Sequence, residues 1–113
     1  MQTFPFTIDY YVTESDRIPF KDWLEGLRDV SGRAKIRVRL DRARLGNLGD
    51  HCTVGEGVSE LRIDYGPGYR VYYGLDGDRL ILLLLGGDKA SQEKDIARAK
   101  GLWRDHQRRN RHA

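Results

Sequence analysis

The sequence predicts an α+β domain in the order strand, helix, helix, three strands, helix, on an antiparallel-dominated sheet of about four strands. Two observations carry the sheet. In 57–65, Ser59, Leu61, Ile63 and Tyr65 alternate with Glu60, Arg62 and Asp64; in 69–73, Tyr69, Val71 and Tyr73 alternate with Arg70 and Tyr72. The run 80–85 is almost purely apolar and bounded by turn residues, as expected of a central strand buried on both faces. A third observation carries the helices: apolar residues recur at helical spacing in 20–27, 36–43 and 96–103.

In chain order, Phe4, Phe6, Ile8, Tyr10 and Val12 alternate with Pro5, Thr7, Asp9 and Tyr11, a first strand that pairs with the later sheet. Ser15 or Asp16 caps the helix that follows, whose stripe is Phe20, Trp23, Leu24 and Leu27, and Ser31 or Gly32 breaks it. The second helix turns Ile36, Leu40 and Ala43 inward, and the two helices form a hairpin on one sheet face. The stretch 46–57 holds four glycines without periodicity and reads as a loop. Gly66, Pro67 and Gly68 reverse the chain between two strands, and 74–78 reverse it again. After Gly86, Gly87, Asp88 and Lys89 a final helix starts, with Ser91 as N-cap and Glu93 and Asp95 at its positive end. Residues 103–113 read as a polar, basic, frayed tail of a single domain spanning 1–113.

Composition restricts the function classes. The 113 residues suffice for one modest core. There is no apolar run of the roughly 18 residues a membrane span needs, and no basic-then-apolar leader, so the cytoplasm is the expected location. A lone Cys52 excludes an internal disulfide, and its neighbour His51 does not give a metal-ligand spacing; no metal or cofactor is expected. Fifteen of the twenty cations are arginine, clustered in 33–44 and 104–111. Arginine suits bidentate phosphate contacts, so a polyanionic partner, nucleic acid, is expected. In the second helix Arg33, Lys35, Arg37, Arg39, Arg42 and Arg44 face the single acid Asp41.

The strings FKDWLEGLRD (20–29), GNLGD (46–50), GVSELRIDYGPGYRVYY (57–73) and LLLLGGDKASQEKDIARA (82–99) closely resemble addiction-module killer proteins, a HigB-like branch of the RelE/ParE toxin superfamily. The likeness runs from Phe20 to about Leu102. It implies a RelE-like fold and the toxin of a type II toxin–antitoxin pair, neutralised by a cognate helix-turn-helix antitoxin. DNA would be met only through that complex, and no membrane is involved. The implied activity is metal-independent, ribosome-dependent cleavage of mRNA, which makes ribosome and mRNA the partners. By position in the strings, Arg70 falls where such toxins place a phosphate-contacting arginine, Arg62 where they place a basic residue on the preceding strand, and Lys89 where a basic residue follows the last strand. Where RelE has a tyrosine, this chain has QEKDI, making Gln92 and Asp95 the nearby candidates; His51 is a further candidate base. The basic second helix is then a contact for ribosomal RNA, with Tyr72 as a further RNA contact.

The residues also allow plainer readings. Arg62 and Arg70 fit wet-face pairing with Glu60 or Asp64, the tyrosines at 65, 69, 72 and 73 fit sheet packing, and the helical cations fit a solvated face. Lys89 is misplaced at a helix start by the dipole rule, which suits a ligand-related reason. Two other function classes stay open: a ParE-like gyrase inhibitor, and a non-catalytic corepressor that only binds its antitoxin.

Overall fold

A computed structural model describes residues 5–111. The elements are β1 (Thr7–Tyr10), α1 (Pro19–Gly26), α2 (Val30–Arg44), β2 (His51–Gly55), β3 (Val58–Ile63), β4 (Tyr69–Asp76), β5 (Leu80–Asp88), a 3-10 turn (Lys89–Ser91) and α3 (Gln92–Arg111). The five strands lie in the order β1-β5-β4-β3-β2. β1 runs parallel to β5 and the other neighbours are antiparallel, so the α+β class stands but the sheet is mixed and has one strand more than expected.

The extra strand is β2, inside the stretch expected to be loop. Cys52 and Val54 are half-buried while His51, Thr53 and Gly55 are exposed, so the alternation is there but too short and weak to register in sequence. Gly55, Glu56 and Gly57 all take positive φ (101°, 55° and 84°), which folds β2 back onto β3. Other boundaries also move. α1 begins with Pro19 at its first turn and has Ile18, not Ser15 or Asp16, at the N-cap position, without a side-chain cap. Asp29 starts α2 instead, accepting from the Gly32 amide at 2.9 Å and from the Tyr69 hydroxyl at 2.8 Å, so Ser31 and Gly32 lie in the first helical turn rather than in a break. Asp88, not Ser91, caps the C-terminal helical segment, through a reciprocal capping box with Ser91.

Helices cover both faces of the sheet. On one side Phe20, Leu24, Ile36 and Ala43 pack on Leu61, Ile63, Val71, Tyr73, Ile81 and Leu83. On the other, Ala99 and Trp103 of α3 pack on Val58, Tyr72, Leu82, Leu84 and Leu85. β5 is buried on both faces, as its apolar run requires. Tyr72 pairs with Leu85 and Tyr73 with Leu83, so Leu84 is a bulge residue that puts Leu84 and Leu85 in the same cluster. Two glycines permit the close contacts: a Cβ on Gly74 would sit 2.4 Å from the Trp103 ring, and one on Gly86 would sit 2.0 Å from that of Trp23.

Residues 103–111 are not a frayed tail. α3 continues to Arg111, Tyr11 donates to Asp105 at 2.6 Å, His106 meets Asp76 at 2.8 Å, and Arg109 pairs with Asp105 at 2.8 Å while covering the Tyr11 ring. Residues 112 and 113 lie outside the described residues.

Candidate nucleic-acid interface

Period-two geometry sends Val58, Glu60 and Arg62 of β3, and Arg70, Tyr72 and Gly74 of β4, to the face that α3 covers. α3 starts over Glu60, with which Gln92 bonds, crosses Gly57 and Gly74 at Trp103, and runs on to Arg111 past Asp76. The strand ends carrying Arg62 and Arg70 therefore project beyond the helix. These two arginines sit directly opposite each other in register. Lys89, in the turn before α3, backs onto Gly68 at Cβ level. All three cations line one cleft of about 450 Å³, together with Asp50, Asp64 and the 66–68 turn. The structure thus brings together the three cations singled out from the sequence.

Like charges directly opposite on a sheet are unfavourable, and Glu60 compensates only one of them. Glu60 is fully buried. Its Oε1 accepts from Arg62 Nε at 2.9 Å, and Gln92 Nε2 lies 3.2 Å from both carboxylate oxygens. Cys52 donates weakly to the same carboxylate at 3.5 Å, and Arg62 Nη2 lies 3.1 Å from Cys52 Sγ. The hydrogen bond that Arg62 donates to Glu60 raises the guanidinium pKa above its usual value. Burial, then the Glu60 charge, push the Cys52 thiol up, which leaves it a poor nucleophile. Arg70 has no such anchor: its Nε is buried without a hydrogen-bond partner among the described residues.

The other candidates separate. Gln92 orients Glu60 and acts on the cleft only through it. Asp95 does not line this cleft: it accepts from Ser91, its carboxylate packs on Gly87, the cross-strand partner of Arg70, and it lines a second cleft of about 620 Å³ with Asp22, Trp23, Asp88 and Arg98. Tyr72 is fully buried beneath α3, so no base can stack on it; burial first, then Glu60 and Asp95, push its hydroxyl far above the usual tyrosine range. His51 pairs with Leu61 and so belongs to the face opposite the cations, its ring held by the Gly49 carbonyl at 2.9 Å. The sequence reading missed the burial of Glu60, because alternation marks a face but does not tell which part of it a distant helix will cover.

The α2 cations also divide. Arg39 donates to the carbonyls of Leu48, Asp50 and Arg62 at 2.9–3.1 Å and pins the 46–50 segment to β3, a structural task and not a free phosphate contact. Arg33 donates to the Leu27 carbonyl. Lys35 lies over the Tyr65 ring at 4.8 Å, and Arg44 pairs with Asp41 at 3.9 Å. Arg37 and Arg42 are exposed. In the C-terminal cluster, Arg104 is paired with Glu56 and Arg108 and Arg109 with Asp105. Among the described residues no group of three or more His, Cys, Asp or Glu could hold a metal ion, and no helix is long and apolar enough to cross a membrane.

Fold and site together define an α+β domain whose mixed sheet is layered between helices and carries a cationic cleft where one helix stops short. No family model matches the chain. An uncharacterized protein of Haemophilus influenzae is 47% identical over 85 residues, covering 75% of this chain and 86% of that protein. The chain belongs to the family of this Haemophilus protein.

Proposed function

We propose that this protein is the toxin of a type II toxin–antitoxin pair, a metal-independent endoribonuclease that cuts mRNA on the ribosome from the Arg62–Arg70–Lys89 cleft. One observation carries the reading: two arginines face each other in register, one of them unanchored, with a lysine completing the cleft. A fold tolerates such mutual repulsion where an anion relieves it, and a phosphodiester is the anion that this arginine-rich chain suits best.

The chemistry assigned to the cleft is in-line attack of an RNA 2′-oxygen on the adjacent phosphorus. The new O–P bond forms as the bond to the 5′-oxygen breaks, leaving a 2′,3′-cyclic phosphate and a free 5′-hydroxyl. Arg62 and Arg70 stabilise charge on the non-bridging oxygens. Asp50 and Asp64 are the carboxylates lining the cleft that can take the 2′-hydroxyl proton. Lys89 supplies a proton toward the leaving oxygen. Glu60 and Gln92 act at one remove, by fixing Arg62.

The test is induced expression of the protein, of Arg70→Ala and of Lys89→Ala, followed by primer extension on cellular mRNA. Cuts within translated regions that weaken by about 10²–10³-fold in the variants are expected, the loss typical of one charge-stabilising donor. Growth arrest with intact mRNA would replace this reading with a ParE-like gyrase inhibitor. No arrest would leave a non-catalytic corepressor that acts with its antitoxin.

A further inference from the structure

β5 has a free edge toward its C-terminal end. β1 pairs only with Leu80–Leu83, and the last backbone bond on that side runs from the Tyr11 amide to the Leu83 carbonyl at 3.0 Å. Beyond it, among the described residues, no strand covers Leu85, Gly86 and Gly87 on that side, although all three are buried. Alternate residues of a strand turn N–H and C=O to opposite edges, so part of this main chain faces the second cleft, which the same three residues line. Its volume of about 620 Å³ falls in the range of small-molecule sites, and a buried backbone edge needs hydrogen-bonding partners.

The walls narrow the choice of partner. Trp23 is half-buried, with its ring against Gly86 and the rest of it on the cleft. Three carboxylates line the walls, and two of them are engaged: Asp22 holds Arg17 at 2.8 Å, and Asp88 caps the 3-10 turn by accepting from the Ser91 amide at 3.2 Å. Asp95 accepts from Ser91 through Oδ2 alone, so its Oδ1 has no hydrogen-bond partner among the described residues. Its place depends on Gly87, where a Cβ would come 1.9 Å from Oδ2. With three acids against two arginines, Arg17 and Arg98, the cleft is no seat for a phosphate. An ionised carboxylate only accepts. Beside an aromatic surface it suits a flat, neutral ring with donors on its edge, and among the RNA bases guanine alone carries two adjacent donors, N1–H and N2–H, on its pairing edge.

We infer that the second cleft is a guanine-selective nucleobase site, with Trp23 as stacking surface, Asp95 as acceptor and the β5 edge as floor. The cationic cleft next to it takes the other half of a nucleotide. Gly87, which lines the base site, is the cross-strand partner of Arg70, and opposed residues of an antiparallel pair lie about 4.5–5.5 Å apart at Cα. A phosphate at Arg70 and a base against Asp95 therefore belong to neighbouring positions on one strand of RNA. A guanidinium from a protein partner would also meet Asp95, but Arg17 and Arg98 repel it and it brings no anion for Arg70. That the base belongs to mRNA, and that the site selects where the chain is cut, rests on the toxin reading.

The test is fluorescence anisotropy of the full-length protein with labelled 2′-O-methyl RNA pentamers, uridines flanking one central G, A, C or U. The methylated 2′-oxygen cannot attack, so binding is read without cleavage. The guanine pentamer should bind at least about tenfold more tightly than the other three, the scale of one good base contact. A fifth pentamer with central inosine, which lacks the 2-amino group, needs no variant and should lose most of that preference. Asp95→Asn keeps the side chain's shape but replaces one acceptor with a donor, and should bring the four natural bases within about twofold of one another. Arg70→Gln should weaken all of them alike and leave the preference, which separates phosphate from base. Thermal melts check that both variants are folded. No preference for guanine in the parent, an inosine pentamer that binds as well as the guanine one, or a preference unchanged in Asp95→Asn would overturn the proposal. Cuts mapped in cells should share a guanine at one fixed position. Guanine preference in binding with no cuts at all would keep the base site and remove the nuclease, whereas cuts without a shared guanine and without binding preference would remove the base site and keep the nuclease.

Discussion

The two ends of the β3–β4 pair use the same strands and the same sheet face in opposite ways. At one end Val58 and Gly74 are in register, both fully buried or nearly so, and Trp103 closes over them. At the other, Arg62 and Arg70 are in register and left uncovered. The crossing of α3 decides which end is which: it starts over Glu60 and runs over Gly57 and Gly74 toward Asp76, away from the arginines. A covered end can be optimised for packing, whereas the uncovered end carries facing cations, which the proposed function assigns to an anionic ligand.

The largest effect should come from breaking the covered end. Trp103 is 5% exposed and lies flat against Gly74. Trp103→Ala should cost about 3–5 kcal/mol, the usual range for removing a buried aromatic, read from urea unfolding followed by circular dichroism. A loss below about 1 kcal/mol would mean that α3 is held by its ion pairs and not by this contact.

Glu60 stands at the boundary between the ends, and Glu60→Gln should cost about 1–3 kcal/mol by leaving a buried donor facing the Gln92 amide. It should also lower cleavage by freeing Arg62, while a shortened Arg62 variant should be insensitive to it. A double-mutant cycle on cleavage rate measures this dependence, and additive losses would show that Glu60 only stabilises the fold.

A smaller effect concerns pH. Asp29 is held below the ordinary aspartate value of 3.8, first by the Gly32 amide, then by the Tyr69 hydroxyl and Arg33. Asp105 is lowered too, by the Tyr11 hydroxyl first and then by Arg109 and Arg108. Both carboxylates bind protons more weakly folded than unfolded. Their stabilisation is therefore present above about pH 3.8 and is lost as pH falls through their lower folded values. Thermal melts between about pH 5 and about pH 2, the span of aspartate titration, should show the midpoint falling, and Asp29→Asn should flatten the decline. An unchanged slope in that variant would locate the acid sensitivity elsewhere.

How much of this was legible in the sequence follows the same division. Periodicity revealed the apolar layers, since Ile36, Leu61, Val71 and Leu83 recur at spacings only a packed face explains. The strings around Arg62, Arg70 and Lys89 pointed to the cations that the cleft unites. What stayed hidden depended on contacts distant in sequence. Thirty-two residues separate Glu60 from Gln92, so the alternation that made Glu60 look wet could not report the helix above it. Forty separate Asp29 from Tyr69, and the aspartate's role as cap was obscured by nearer serines and glycines. β2 was invisible because an edge strand of five residues, three of them exposed, leaves little pattern.

The smallest prediction bears on the open end itself. If the in-register arginines are kept for a ligand, removing one should help the empty protein, and the two positions should not be equivalent. Arg70→Gln relieves the like-charge pair without orphaning a carboxylate, and should gain about 0.2–1 kcal/mol, the scale of one cross-strand pair. Arg62→Gln relieves the same repulsion but takes the guanidinium away from fully buried Glu60, and should lower stability instead. The order Arg70→Gln, parent, Arg62→Gln in thermal midpoint, with both variants losing RNA cleavage, would mean that stability is given up at Arg70 for function. A loss of stability in Arg70→Gln equal to that in Arg62→Gln would instead make Arg70 a structural residue, and the contrast between the two ends would lose its functional meaning.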